Sequence, residues 1–185
     1  MLITPKTVAH SRTTITELMI PSYANFGGKI HGGILLSLMD KVAYACASKH
    51  AGTYCVTVSV EAVDFLQPVE VGEMVSMSAS VNYVGNSSMV VGIKVIAENF
   101  KVGTTKHTNT SYFTMVAKDD HGKPTRVPGL IIDTKEEARR FVEAMKRKEL
   151  HGPYKEQLRR VRLMLEEDVN HGILEHERCR LSFAI

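Results

Sequence analysis

The chain has 185 residues, 44% hydrophobic and 23% charged, ordinary proportions for one globular core with a terminal extension. Its 23 Lys and Arg against 20 Asp and Glu leave a net charge of +3, too even a balance for nucleic-acid or membrane binding driven by charge. No run of about twenty apolar residues is present to span a bilayer. Cys46, Cys55 and Cys179, an odd number without paired spacing, and an N-terminus that does not read as a secretory leader make a reducing cytoplasm the expected setting.

In chain order, "RTTITELMI" (12–20) reads as a strand, and Pro21, Gly27, Gly28, Gly32 and Gly33 mark an irregular loop after it. From Ile34 to "KHAG" the residues Ile34, Leu35, Leu38, Met39, Val42, Ala43, Cys46 and Ala47 recur at helical steps, with Gly52 as terminator. Leu36, Tyr44 and Ala45 fill much of the remaining circumference, so this helix is expected to be buried on most sides. Asp40 is then a puzzle. Its neighbours at steps of three and four are Leu36, Ser37, Ala43 and Tyr44, none of them a cation, and an unpaired buried carboxylate costs several kcal/mol. It needs a partner from another segment or a task.

Four strand-like stretches follow: 56–63, with Val56, Val58, Val60 and Ala62 on one face; 75–83, with strict alternation; 89–97; and 106–117. Short turn-like links favour antiparallel neighbours. A strand, a helix apolar nearly all round and four alternating strands fit an α+β hotdog arrangement, a curved antiparallel sheet wrapped around a central helix. An edge strand left open predicts pairing between two chains, hence at least a dimer. From Thr134 the composition changes: "TKEE" has the form of a capping box before a helix, and Gly152-Pro153 is expected to break it before a second helix from about Lys155 to Asp168. We divide the chain at 1–130 for the hotdog domain and 131–185 for a C-terminal helical extension.

The loop before the long helix suggests chemistry. Gly32 and Gly33 are expected to leave backbone N–H groups uncovered at a helix N-terminus, where they can stabilise an oxyanion. Asn25 offers an amide to orient a water or a carbonyl. With Asp40 as base or nucleophile, these groups suit hydrolysis of an activated acyl group. His31 reads as structural or substrate-facing rather than as a general base. His171, His176 and Cys179, at steps of five and three, do not stack on one helix face, so no metal site is expected.

The segments "ANFGGKIHGGILLSLMDKVAYACASKHAG", "YCVTVSVEAVDFLQPVEVGE", "VNYVGNSSMVVGIKV" and "TKHTNTSYFTMVA" resemble the hotdog acyl-CoA thioesterases related to the brain acyl-CoA hydrolases, over roughly residues 12–130. The resemblance implies that Asn25 of one chain faces Asp40 of the partner subunit as a catalytic pair. It places the thioester carbonyl near Gly33, with His31 and Gly32 shaping the turn. It also implies a hexamer of three dimers, and no cofactor beyond the coenzyme A of the substrate. Coenzyme A contacts are expected at Gly85, Asn86, Ser87 and Ser88, a turn that in similar proteins reads Gly-Arg-Thr-Ser. Asn86 removes that arginine, so either Lys106 or a C-terminal arginine meets the phosphates or coenzyme A affinity is reduced. Two rivals stand beside hydrolysis: a non-catalytic acyl-CoA sensor and a hydratase using His31.

Overall fold

The computed structural model describes residues 3–167, 177–180 and 182. In order come β1 (Lys6–Thr7), α1 (Val8–Ser11), β2 (Thr13–Leu18), a single 3-10 turn (Pro21–Tyr23) and α2 (Gly32–Ala51). Then follow β3 (Cys55–Val60), β4 (Met74–Val84), β5 (Ser88–Asn99), β6 (Thr104–Ala117), β7 (Leu130–Ile131) and α3 (Lys135–Glu167). Every expected strand is present within a few residues of its sequence bounds.

The main sheet is antiparallel throughout, in the order β2-β4-β5-β6-β3. A single helix, α2, packs against all five strands. Five strands spaced about 4.8 Å apart are wider than one helix, so the sheet must curl to keep every strand in reach. Register shifts at Thr57/Ser59, Val81/Tyr83 and Val95/Ile96 add local twist to that curl. The core lies between: Leu38, Met39, Val42 and Cys46 of α2 meet Val75, Met77, Val91, Ile93, Phe113 and Met115 of the sheet. Gly52 ends α2 at φ 75°, its N–H on the Ser48 carbonyl at 2.8 Å, a left-handed conformation that glycine adopts without steric cost. Burial pushes the Cys46 thiol up to about 12, so it behaves as a core side chain.

Two compact units divide the chain, Met1–Ala144 and Met145–Ile185. The first includes the parallel β1–β7 pair and the opening turns of α3. The capping box at Thr134 is formed: its hydroxyl accepts Glu137 N–H at 3.1 Å, and Glu137 Oε2 accepts Thr134 N–H at 3.2 Å. The expected break at Gly152-Pro153 does not occur, for α3 runs through Pro153. Proline's fixed φ fits a helix, and the position is exposed, so water can satisfy the carbonyl that its missing N–H leaves bare. His171, His176 and Asp168 lie outside the described residues.

Candidate active site

The loop between β2 and α2 is held by its own backbone. Asn25 N–H donates to Lys29 O at 2.7 Å, Ile30 N–H to Val69 O at 2.9 Å and His31 N–H to Tyr23 O at 2.8 Å. Lys29 adds an ion pair to Glu70 at 2.6 Å. The Asn25 side chain is oriented from within this loop: Oδ1 accepts the N–H groups of Gly27 (2.9 Å) and Lys29 (3.2 Å). With its oxygen committed, the Nδ2 amide is the end of Asn25 left to meet a substrate or water.

The start of α2 differs from expectation. Gly33 N–H is not uncovered; it donates to His31 Nδ1 at 2.8 Å, so the imidazole serves as the N-cap. The His-Gly-Gly spacing explains itself here. A Cβ at residue 33 would lie 2.9 Å from His31 Nδ1 and Cε1, and one at residue 32 would touch the Phe65 ring at 3.4 Å.

Asp40 also departs from expectation, because its side of α2 is open rather than buried. Leu36 and Tyr44, one turn before and after it, are 36% and 43% exposed. The apolar circumference of α2 therefore exceeds what one chain covers, which is why periodicity alone put Asp40 inside. Its partner is a hydroxyl and not a cation: Thr57 Oγ1 on β3 donates to Asp40 Oδ1 at 2.6 Å. Periodicity alone does not single out Thr57. The signal available was a threonine alternating with Val56 and Val58 on the strand after the helix. Beside it, Val58 and Val60 are open, and β3 is the last strand of its sheet.

The remaining expected contacts are dispersed. The turn Gly85–Ser88 is closed by Gly85 N–H to Ser88 O at 2.7 Å, and its Asn86 and Ser87 carbonyls accept Val127 N–H (3.0 Å) and Ala117 N–H (2.9 Å). Lys106 pairs with Ala97 at the far end of β5, roughly 30 Å along the strand from Ser88. It is also engaged, its Nζ 2.8 Å from the buried Glu73 carboxylate. Within one chain, the turn and Lys106 do not reach one phosphate.

The profile of the thioesterase superfamily matches residues 27–104. An uncharacterized acyl-CoA thioester hydrolase, YkhA of Bacillus subtilis, is 37% identical over 136 residues, 72% of this chain and 79% of that protein. The chain belongs to the acyl-CoA thioester hydrolase family. A solved apo-hexameric acyl-CoA thioesterase superposes with TM-score 0.80 at 37% identity, covering 83% of this chain and 98% of that one. An acyl-CoA hydrolase from Staphylococcus aureus, solved with butyryl coenzyme A, coenzyme A and coenzyme A disulfide, gives 0.78 at 30% identity over 87% and 98%. That hydrolase has also been solved with an asparagine, an aspartate and a threonine each replaced by alanine. The residues matched by the family profile lie within the unit that carries Asn25, His31, Gly33, Asp40 and Thr57.

Proposed function

We propose that the protein hydrolyses acyl-CoA thioesters to coenzyme A and a carboxylic acid, with Asp40 as the carboxylate at the reacting carbon. The observation that carries this reading is the Thr57–Asp40 hydrogen bond on the open face of α2, about two turns beyond a helix start where Gly33 N–H is held by a displaceable side chain. The three replaced positions of the Staphylococcus aureus hydrolase are separated by the same sequence intervals as Asn25, Asp40 and Thr57, which supports these as the working set.

In this reading the thioester oxygen takes Gly33 N–H in place of His31 Nδ1, and the amide places the charge that develops as the carbonyl becomes tetrahedral. Thr57 holds Oδ1 of Asp40, leaving Oδ2 to receive a proton from the attacking water. Water oxygen bonds to the carbonyl carbon, the C–S bond breaks, and the proton passes to the departing thiolate. Asn25 Nδ2 orients the water or the carbonyl. An attack by Asp40 itself, through a mixed anhydride that water then cleaves, uses the same groups.

The proposal includes assembly. Pairing of two copies along β3 would cover Leu36, Tyr44, Val58 and Val60 and bring Asn25 of one protomer toward Asp40 of the partner subunit, with three such dimers forming a hexamer. A cytoplasmic setting belongs to the same reading, carried by three free cysteines. Since Lys106 is paired with Glu73, Arg126 is the better candidate for a coenzyme A phosphate: it is exposed and adjacent to Val127, which hydrogen-bonds the Asn86 carbonyl.

The test is thiol release from short-, medium- and long-chain acyl-CoA by the parent and Asp40→Asn. Loss of at least about a hundredfold in kcat is expected. Activity within about a factor of three of the parent would remove Asp40 from the mechanism. Tight acyl-CoA binding by the parent without turnover would favour a sensor.

A further inference from the structure

The face of the sheet turned away from α2 carries its own concavity. Ser78, Ser80 and Lys94 alternate with the core residues Met77, Ala79, Ile93 and Val95, so they point to the opposite side. There they line a cavity of about 550 Å³, bounded by β4, β5, β6 and the opening turns of α3.

Four cations line it, Arg12, Lys94, Arg139 and Arg140, against one carboxylate, Glu143. Three of the cations have partners: Arg12 meets Glu137 at 2.9 Å, Arg139 meets Glu136 at 2.7 Å and Glu143 at 3.0 Å, and Arg140 meets Glu136 at 2.8 Å. Adding Glu136 and Glu137 leaves four positive charges against three negative. The surplus falls on Lys94, which makes no ion pair among the described residues. Arg12 and Arg140 each commit a single nitrogen of their guanidinium, out of five N–H donors.

The floor supplies a neutral donor. Asn82 is the extra residue of the bulge between Val81 and Tyr83 and is 6% exposed. Its Oδ1 accepts the Ser80 hydroxyl at 3.0 Å, and its Nδ2 has no acceptor among the described residues. The amide lies so close over Gly92 that a Cβ there would overlap it. Nδ2 is not among the fully buried unpartnered atoms of the described residues, so this amide end is open to the cavity, where a ligand oxygen can accept from it.

We propose that this cavity is a second ligand site, taking a phosphate group on Lys94 Nζ, Asn82 Nδ2 and the spare guanidinium N–H groups of Arg12 and Arg140. The three kinds of donor converge from strand, bulge and helix, which suits a tetrahedral oxyanion with acceptors on every side. Such a ligand would tie β5 to the opening of α3, where Tyr112 already donates to Glu143 at 3.1 Å and Tyr83 packs on Phe141 at 5.1 Å. It lies across the sheet from α2 and Asp40, so its occupancy is separate from substrate binding.

The experiment titrates the full-length protein with inorganic phosphate by calorimetry, with melting curves at the same ionic strength set by sodium chloride. Saturable binding of one phosphate per chain is expected, with a higher Tm in phosphate than in chloride. Lys94→Gln should weaken binding at least about tenfold, whereas Lys101→Gln, on the β5–β6 hairpin, should leave it unchanged. Lys94 is exposed and unpaired, so the phosphate-free Tm of Lys94→Gln should equal the parent's and serves as the folding control. Non-saturable heats, an equal response to chloride, or unchanged affinity in Lys94→Gln would each overturn the site.

Discussion

Thr57 holds Asp40 across the gap between β3 and α2, hydroxyl to Oδ1 at 2.6 Å, while the same Oγ1 lies 3.3 Å from Met115 Sδ. A hydrogen bond to a charged group is worth about 1.5–3 kcal/mol, and here it fixes which carboxylate oxygen remains available. Thr57→Val keeps the branched shape and removes the donor. Its kcat for acyl-CoA should fall about tenfold or more with KM within about threefold, and Thr57→Ser should restore most of the rate. A rise in KM at unchanged kcat would instead make Thr57 a substrate contact.

Near the C-terminal end of α2, His50 is fully buried, with Nε2 3.1 Å from the Pro128 carbonyl and Nδ1 without a partner among the described residues. Burial lowers its pKa from 6.5, Lys6 and His10 act in the same direction, and the Pro128 hydrogen bond opposes them. The unfolded chain therefore takes up a proton near pH 6.5 that the folded chain refuses until lower pH. Stability is lost as pH falls through that window and is unaffected by His50 above it. Melting temperatures between pH 7.5 and 5.5 should decline in the parent, and His50→Gln should flatten the decline. Parallel curves would remove His50 as the cause.

Glu73 is 3% exposed and spends both carboxylate oxygens: Oε1 on Lys106 Nζ at 2.8 Å and Oε2 on Glu70 N–H at 2.9 Å. Lys106→Met strips the counter-charge from a buried anion, at a cost of about 3–5 kcal/mol, a Tm loss on the order of 10 °C. Replacing both as Glu73→Leu with Lys106→Met should recover much of that loss, because no bare charge is left. A single variant that melts with the parent would show the pair to be incidental.

Two buried serines should respond in opposite ways. Ser11 Oγ donates to Val8 O at 2.7 Å and accepts Val81 N–H at 3.0 Å, whereas Ser111 Oγ has no partner among the described residues. Ser11→Ala orphans a backbone N–H in the core and should cost about 1–3 kcal/mol in urea unfolding. Ser111→Ala removes an unsatisfied hydroxyl and should be neutral or stabilising. Equal losses at the two positions would contradict this hydrogen-bond accounting.

The sequence carried most of the architecture because its signals are local. Period-two alternation marked β4, helical spacing marked α2, and Thr134 with Glu137 announced α3. Asn25, His31, Gly33 and Asp40, the residues proposed for the site, stand out in the sequence for the same reason, being packed into one short stretch around a helix start. Less legible was anything decided by register. Thr57 belongs to Asp40 only because β3 crosses beside α2 and is bulged, and Lys106 parts from the Gly85–Ser88 turn only because β5 and β6 pair over their whole length. Periodicity also reports apolar circumference without saying which chain covers it, which is how Asp40 was placed inside. The His31 cap was obscured because imidazole is seldom the side chain that closes a helix.

The apolar stripe of Leu36, Tyr44, Val58 and Val60 has a quantitative corollary. A solitary chain leaves Asp40 bathed in bulk water, where hydration competes with any field the protein sets up around it. With two copies paired over this stripe as proposed, turnover per chain would depend on how much protein is in the tube: dilution below the dimer dissociation constant would extinguish it without unfolding anything, and abundance alone would become a dial on the reaction.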